Sequence, residues 1–488
     1  MSTTRSEALP SEPRRIRDIA HFDLEAEVVV VGLGMAGACA AIEAQEAGAN
    51  VLAIERFGAG GGTSANSGGV IYMGGGTAVQ KAAGFEDSPE EMYKFLVAVS
   101  QPGANEEKVR AFCEASVEHF DWFEAHGMPF KRSFHHEPSL ESITDDCLVY
   151  TSGEDCHPWC EIAKPAPRGH KPQVVNKGGP FMMQCMMGAV ERMPFPVEVD
   201  TRVDTLIVDD DGVVVGAVAK TAGDERCIRA TKGVVLTAGG FILNDAMRDL
   251  HAPLLSKVQV HTATEGDDGR GIRMGQGVGA ATLYMDLGEV ALPYTIPNRL
   301  SRGIYVNQHG LRFINEDTYY GHIGIAGLYS QGGQVYLLLD DSCYERGRVG
   351  LEPSWVGETI EEVEREAGLP EGSLVSTVEL YNRHAGEGRD PLFHKRSEMI
   401  TPLVTPPYAL IDCRVENAIW SAFTTGGLHT SVDSEVLNGD GAAIPGLYAA
   451  GRTAAMFSGQ GYPGSGTSLG DASFFGRVAG RSAARRRG

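Results

Sequence analysis

One stretch constrains this chain more than any other: Glu27-Val28-Val29-Val30-Val31-Gly32-Leu33-Gly34-Met35-Ala36-Gly37. Four consecutive valines are apolar on both faces and β-branched throughout, which predicts a strand buried in a parallel sheet. The strand runs into G-x-G-x-x-G. Gly32 allows the tight turn, Gly34 lets a pyrophosphate approach the backbone, and Gly37 lets helix pack on strand. The alanine-rich stretch 38–47 continues as a helix whose N-terminus, at Met35 and Ala36, faces the phosphates. A second apolar strand, Val51–Ile54, ends in Glu55 and Arg56. An acid at about 20 residues beyond the glycines can bind ribose hydroxyls. The glycines alone are a weak signal, but the full strand–glycines–helix–strand–acid unit predicts a Rossmann-like dinucleotide site.

The kind of dinucleotide is decided downstream. Residues 58–76 are rich in Gly, Ser, Thr and Asn, with Thr63, Ser64, Asn66, Ser67, Gly68 and Gly69 at the centre. Such a segment reads either as a flexible surface loop or as a cradle of unhindered amides and short hydroxyls for a large planar ligand. The order of parts resembles the flavoprotein superfamily of fumarate reductases and 3-ketosteroid dehydrogenases. That resemblance implies a flavin cradle and FAD. A covalent link needs a His, Cys or Tyr beside the ring system, and none stands out in residues 58–76 apart from Tyr72, so noncovalent FAD is expected.

At 488 residues the chain is too long for one simple core, so two domains are expected. A net charge of −22 argues against nucleic acid and anionic membrane surfaces as partners. The first 22 residues carry arginines and prolines without an apolar h-region, and no run of 18 apolar residues occurs, so no membrane span and a cytoplasmic location are expected. Nine cysteines, an odd number spread along the chain, do not form a disulfide framework. Cys156 and Cys160 read as reduced loop thiols, and no metal site is expected.

The chain divides on paper into an N-terminal arm (1–21), a discontinuous α/β FAD-binding domain (22–283 and 416–488) and an inserted α+β substrate domain (284–415), where strand–helix alternation weakens. Ser88-Pro89-Glu90-Glu91 and Asn105-Glu106-Glu107 read as helix starts. Val197–Val203, Leu206–Val208 and Val213–Lys220 read as strands of a three-stranded meander over the nucleotide domain, which would bring Val203 to the adenine. Lys232–Leu236 is a further strand, ending in Ala238, Gly239 and Gly240 near the cofactor, with Asn244 close behind. Gly451, Arg452, Gly466, Thr467, Ser468 and Leu469 complete the predicted cofactor site. The amides at the start of a helix running from 467 to about 484 can stabilise a reduced flavin. The cluster Met182, Met183, Met186 and Met187 reads as helical core packing.

Nearly the whole chain resembles bacterial FAD-dependent 3-ketosteroid Δ4-(5α)-dehydrogenases. The matching stretches include Gly68-Gly69-Val70-Ile71-Tyr72, Pro165-Ala166-Pro167-Arg168-Gly169-His170, Glu316-Asp317-Thr318-Tyr319 and Ser465-Gly466-Thr467-Ser468-Leu469-Gly470-Asp471. The resemblance implies that Tyr319, Tyr462 and Ser465 are active-site residues. One departure bears on the reaction. In that family the C-terminal loop reads Tyr-Ala-Ser-Gly, whereas here it is Tyr462-Pro463-Gly464-Ser465-Gly466. This form is similar to the Δ1-dehydrogenases, in which the tyrosine hydroxyl and the glycine four positions later hold the C3 carbonyl.

Desaturating a ketone removes a proton from the carbon beside the carbonyl and a hydride from the next carbon. Tyr462 and the Gly466 amide would clamp the carbonyl, Tyr319 would act as base or relay, and Ser465 would tune the pair. Tyr320 is a weaker candidate, because adjacent residues of an extended segment point oppositely. The fumarate-reducing branch carries an arginine in its C-terminal motif and a paired histidine. Here those places read Gly466–Gly470 and Ala422–Gly427, with neither. A dicarboxylate needs cationic clamps, so a neutral apolar cyclic ketone is the expected substrate and the electron acceptor stays unknown. The alternatives are Δ1-desaturation, a smaller cyclohexanone-type ketone, the reverse reaction as an enone or enoate reductase, or a flavin-binding electron-transfer protein without turnover.

Overall fold

A computed structural model of the chain describes residues 12–136, 143–292, 298–346 and 352–487. The elements used below are β1 (Arg14–Arg15), β2 (Leu24–Val31), α1 (Met35–Glu46), β3 (Val51–Ile54), β4 (Val197–Glu198), β5 (Thr201–Val208), β6 (Val214–Thr221), β7 (Asp224–Leu236), β8 (Gly288–Ala291), α2 (Tyr320–Ile325), β9 (Ser421–Thr424), β10 (Glu435–Leu437), β11 (Ala443–Ala449) and α3 (Thr467–Arg485).

The valine run sits where an all-apolar strand must, inside a nine-stranded sheet ordered β1-β5-β6-β7-β2-β3-β4, with β11 also on β7 and β10 on β11. Its neighbours are parallel on both sides, Val28–Val31 opposite Val51–Ile54 and Gly233–Leu236 opposite Val28–Val31. A meander is present, but not from the three expected strands: Thr201–Val208 is one continuous strand, Val197–Glu198 pairs with β3 instead, and the third strand is β7, which makes the meander part of this sheet. The N-terminal half of β7 pairs antiparallel with β6, and its C-terminal half runs parallel to β2 and β11. The parallel pairing with β2 begins at Ile228 and is interrupted by a register shift between Ala230 and Gly233. The reading of Lys232–Leu236 as a separate strand missed this, since the polar residues Asp224–Arg229 give no apolar run.

Helix α1 carries small residues on every face, and Met35–Ile42 and Ala44 are buried. Such a helix belongs inside. It packs against α3, whose Gly476 and Gly480 lie so close that a Cβ there would stand 2.4 Å from the Ala36 carbonyl oxygen and 2.1 Å from that of Ala40. Ser88 and Asn105 cap their helices as expected, accepting from the amides of Glu91 and Lys108. Met182, Met183 and Met186 are buried in the core that α1 and α3 share, with Met187 packed against it.

A second apolar core draws on residues from Ile242 to Ala422 and contains Trp420, Tyr305 and Leu337. Its four-stranded antiparallel sheet is Ile304–Asn307, Val335–Asp340, Tyr408–Asp412 and Trp355–Gly357. The strands β8 and β9 pair antiparallel, with Glu289 opposite Phe423. Residues 1–11 of the expected arm lie outside the described residues. The part that follows is docked: β1 adds to β5 in parallel, and the Thr205 hydroxyl donates to the Glu12 carbonyl at 2.7 Å. Among the described residues no helix is long and apolar enough to cross a membrane.

Candidate active site

The C-terminal ends of β2, β3 and β7 open into a cleft with two connected ends. With the solvent at their open mouths included, the first spans about 920 Å³ and the second about 960 Å³. Thr63, Ser64, Arg452, Ser468 and Leu469 line both.

The first end is built by the glycine turn. A Cβ on Gly32, at φ +97°, would meet the Thr237 carbonyl oxygen at 2.7 Å, and one on Gly37 would overlap the Gly32 carbonyl oxygen at 1.8 Å. Both glycines are therefore required by the protein itself. Gly34 differs. Its nearest neighbour would be the Ser64 hydroxyl at 3.6 Å, and the residue lines the cleft at the N-cap of α1. Nothing in the fold forbids a side chain there, so the bare backbone is space left for a ligand. The Glu55 carboxylate is 4 % exposed and accepts the amides of Leu33 at 2.8 Å and Phe57 at 3.0 Å, which aims it along the same wall.

Met35, Ala36, Arg56, Val203, Ala238, Gly239 and Gly451 also line this end. Arg56 is turned partly aside by Asp268, at 2.9 Å. Four residues placed at the cofactor by sequence do not line the cleft. Gly37 is consumed in helix–strand packing. The Gly240 amide is tied to Asp267 at 2.6 Å. The Asn244 side chain caps a short helix, accepting from Met247 N at 3.0 Å and donating to the Asp268 carbonyl at 2.8 Å. The Thr467 hydroxyl is spent on the Gly464 carbonyl at 2.8 Å.

Asp267, by contrast, was not singled out as a site residue. It is 1 % exposed, lines the cleft, and gathers the Gly240 amide, the Thr63 hydroxyl and the Arg452 guanidinium, the last at 2.9 Å. It thus clips the 58–76 segment, the end of β7 and the turn after β11 around one carboxylate. A second nitrogen of Arg452, Nη1, is buried without a partner among the described residues. A glycine-floored groove, an aimed carboxylate and a spare guanidinium donor fit the pyrophosphate, ribose and electron-poor ring system of an FAD.

The second end is lined by the predicted Asn66, Ser67, Gly68, Gly69, Ser465 and Gly466, and by Tyr319 and Tyr462. The two phenol rings lie 6.4 Å apart, both nearly buried. The loop after β11 brings Tyr462 back against the start of α3, where its hydroxyl accepts the Ser468 amide at 3.1 Å. That leaves the hydroxyl proton free to donate into the cleft. Desolvation pushes both phenols well above the ordinary tyrosine range, with Tyr320 and Glu289 adding repulsion at Tyr319 and Glu289 at Tyr462.

Tyr320 also lines this end, its ring 4.3 Å from that of Tyr319. The expectation that neighbouring tyrosines would point apart fails because the segment is not extended. Tyr319 is the N-cap and Tyr320 the first residue of α2, and the alternation rule applies only to strands. Glu289, from β8, was missed altogether. It lines the cleft, and its carboxyl accepts the Tyr319 hydroxyl at 3.3 Å. Behind Tyr319 stands His322, which burial lowers to about 4 and so keeps neutral.

Comparison with known proteins agrees with this geometry. The model of the FAD binding domain family matches residues 27–469. The crystal structure of 3-ketosteroid-Δ4-(5α)-dehydrogenase from Rhodococcus jostii RHA1, in complex with 4-androstene-3,17-dione, is 47 % identical, with a TM-score of 0.92, and the match covers 97 % of this chain and 100 % of that one. Urocanate reductase of Eggerthella lenta is 30 % identical over 98 % of this chain and 77 % of its own. The 3-oxo-5-alpha-steroid 4-dehydrogenase of Comamonas testosteroni is 27 % identical over 87 % of this chain and 92 % of its own.

Proposed function

Because this chain belongs to the FAD binding domain family, we propose that it is an FAD-dependent dehydrogenase of 3-ketosteroids of the Δ4-(5α) type. The observation that carries this reading is the pair of buried phenols, Tyr319 and Tyr462, facing one another in a pocket continuous with the dinucleotide groove. The 47 % identity to a dehydrogenase with a steroid dione bound supports the substrate class.

Bound FAD supplies a two-electron acceptor for the hydride. The protein would do the rest. The Tyr462 hydroxyl, polarised by the Ser468 amide it accepts, would donate to the substrate carbonyl and hold the charge that develops there as the neighbouring carbon loses its proton. The Gly466 amide would be its second donor. Tyr319 would relay that proton, with Ser465 on the same wall. The phenol rings would pack on the apolar ring system. Asp267 and Arg452 would fix the cofactor's position against this pair.

A second reading, reduction of an enone or enoate by the same groups in reverse, is favoured by the relationship to a urocanate reductase. Anaerobic mixing of the purified holoprotein with a saturated 5α-3-ketosteroid, a Δ4-3-ketosteroid and a 4-substituted cyclohexanone separates the possibilities. Bleaching of the flavin by the 5α-steroid is the expected result. Bleaching by the Δ4-steroid instead would mean that the Tyr-Pro-Gly-Ser-Gly loop directs Δ1-desaturation, and bleaching by the small ketone alone would discard the steroid. If none bleaches, while enones or enoates reoxidise the reduced flavin, the reductase reading replaces the first.

A further inference from the structure

Glu289 is hard to account for as a structural residue. It lies in a four-residue strand, Gly-Glu-Val-Ala, whose residues are all buried. It is 5 % exposed, and among the described residues it makes no ion pair. A carboxyl withdrawn from water without a cation is costly, and an apolar or amide side chain of similar size would serve packing better. Its surroundings are specific. Tyr319 and Tyr320 face the same pocket from α2, Phe423 lies opposite it on β9, and Tyr462 approaches from the C-terminal loop. The cations that line the pocket, Lys177 at the rim and Arg452 beside Asp267, form no ion pair with it. The hydrogen bond that fixes the carboxyl is the one from the Tyr319 hydroxyl, at 3.3 Å.

Tyr319 meanwhile lacks what a base needs. Burial holds its phenol protonated well beyond the ordinary range, so it can pass a proton on only if another group takes its own. We infer that Glu289 is that group, the internal proton acceptor that Tyr319 discharges to. This rests on the reading of the pocket as a site of ketone dehydrogenation.

The step balances without an outside reagent. The C–H bond beside the carbonyl breaks, and its electron pair stays on the substrate as an enolate held by Tyr462. The proton joins the Tyr319 oxygen as that oxygen's own proton crosses to Oε1 of Glu289. Tyr319 ends as it began, a neutral phenol, and Glu289 ends as a neutral acid. In the reverse direction the protonated Glu289 delivers the proton by the same path. Glu289 acts through Tyr319, so it is a positioning and relay residue, and direction sets the sign of its pH dependence. Burial raises its carboxyl to about 8. Dehydrogenation needs the ionised form and should accelerate with rising pH through that region. Reduction needs the protonated form and should slow over the same range.

The experiment is rapid anaerobic mixing of holoenzyme with the ketone, reading flavin reduction across pH, in the wild type, Glu289→Gln and Glu289→Asp. The expected result is a wild-type rate that rises through about pH 8. In Glu289→Gln the rate falls about 100-fold with little change in KM, and the pH limb disappears. Glu289→Asp restores part of the rate together with the limb. A Glu289→Gln enzyme within threefold of wild type, or one that keeps the limb, overturns the assignment. A second readout is independent of turnover: infrared titration of the protein with its flavin bound. Part of the protonated-carboxyl stretch should fade through about pH 8 in the wild type, above the change expected from Glu154 near 7, and Glu289→Gln should lack that part. If no ketone bleaches the wild type but this band titrates, the dehydrogenase reading fails and the acid–base pair stands. If ketones bleach the flavin and no such band titrates, Glu289 fails and the dehydrogenase reading stands.

Discussion

At the scale of single residues, the site divides by which atoms are already engaged. The Tyr462 hydroxyl accepts the Ser468 amide and has its proton free to donate, whereas the Tyr319 hydroxyl already donates its hydrogen bond to Glu289. The two phenols are therefore not interchangeable, and their Phe variants should differ. Tyr462→Phe removes one donor to the developing oxyanion, and loss of such a donor costs about 10²–10³ in rate. Stopped-flow flavin reduction should show that loss at every pH with flavin content intact, and full turnover in Tyr462→Phe would remove the clamp assignment. Tyr319→Phe should abolish the alkaline rise as well as the rate. The sequence made Tyr319, Tyr462 and Ser465 legible only through resemblance, since an isolated tyrosine carries no signal of its own. Glu289 was invisible for a physical reason. One acid in a short apolar strand reads as the exposed face of an edge strand, and only the pairing with β9 and the packing of α2 bury it. Asn244 carries the opposite ambiguity: a polar residue before Asp245 reads equally as a ligand and as a helix cap, and its side chain caps the helix.

At the scale of elements, the turn from β2 into α1 holds two glycines that look alike in sequence and do different work. A methyl group on Gly37 would collide with the Gly32 backbone, while one on Gly34 would touch only the Ser64 hydroxyl, at an ordinary 3.6 Å. Gly34 also has a negative φ of −74°, which alanine adopts freely. Gly37→Ala should therefore give little folded protein. Gly34→Ala should fold with an apoprotein melting temperature within a degree or two of wild type and bind FAD at least about tenfold more weakly, because its methyl occupies the pyrophosphate's approach. Comparing thermal unfolding with flavin-release titration checks both, and tight FAD binding by Gly34→Ala would show that the pyrophosphate does not pass over Gly34. The motif and the helix starts were readable because each is local: a cap, a proline at the first turn, a run of one residue type. The bipartite strand β7 was not, since whether Asp224–Arg229 continues the strand depends on β6, not on its own composition.

At the scale of the whole molecule, buried ionisable groups on both sides of the cleft should shape stability against pH. Glu154 is 1 % exposed and burial raises it to about 7, against Arg168, which lowers it, and Asp155, which raises it. Glu289 stands at about 8. A carboxyl raised in the folded state contributes stability that is full below its unfolded value of 4.5 and is lost as pH rises through the folded value. The buried histidines work oppositely. His170 and His322 are lowered to about 4 and His119 further, all by burial, so their contribution is full above the unfolded value of 6.5 and is lost as pH falls toward 4. Between 4.5 and 6.5 the two sets oppose one another. Above 6.5 the histidine contribution is complete and the carboxyls dominate the change until Lys108, which burial lowers to about 8, begins to lose its proton and to add stability, so stability should pass its maximum near 6.5 and decline toward 8. Integrated over that limb, the two glutamates amount to ~3 kcal/mol at most, a few degrees of melting temperature in a chain of this size. Melting the holoprotein at a series of pH values should show the decline. Glu154→Gln and Glu289→Gln should each flatten part of it, and the double variant most of it. A decline that survives in the double variant would move its cause away from the two glutamates.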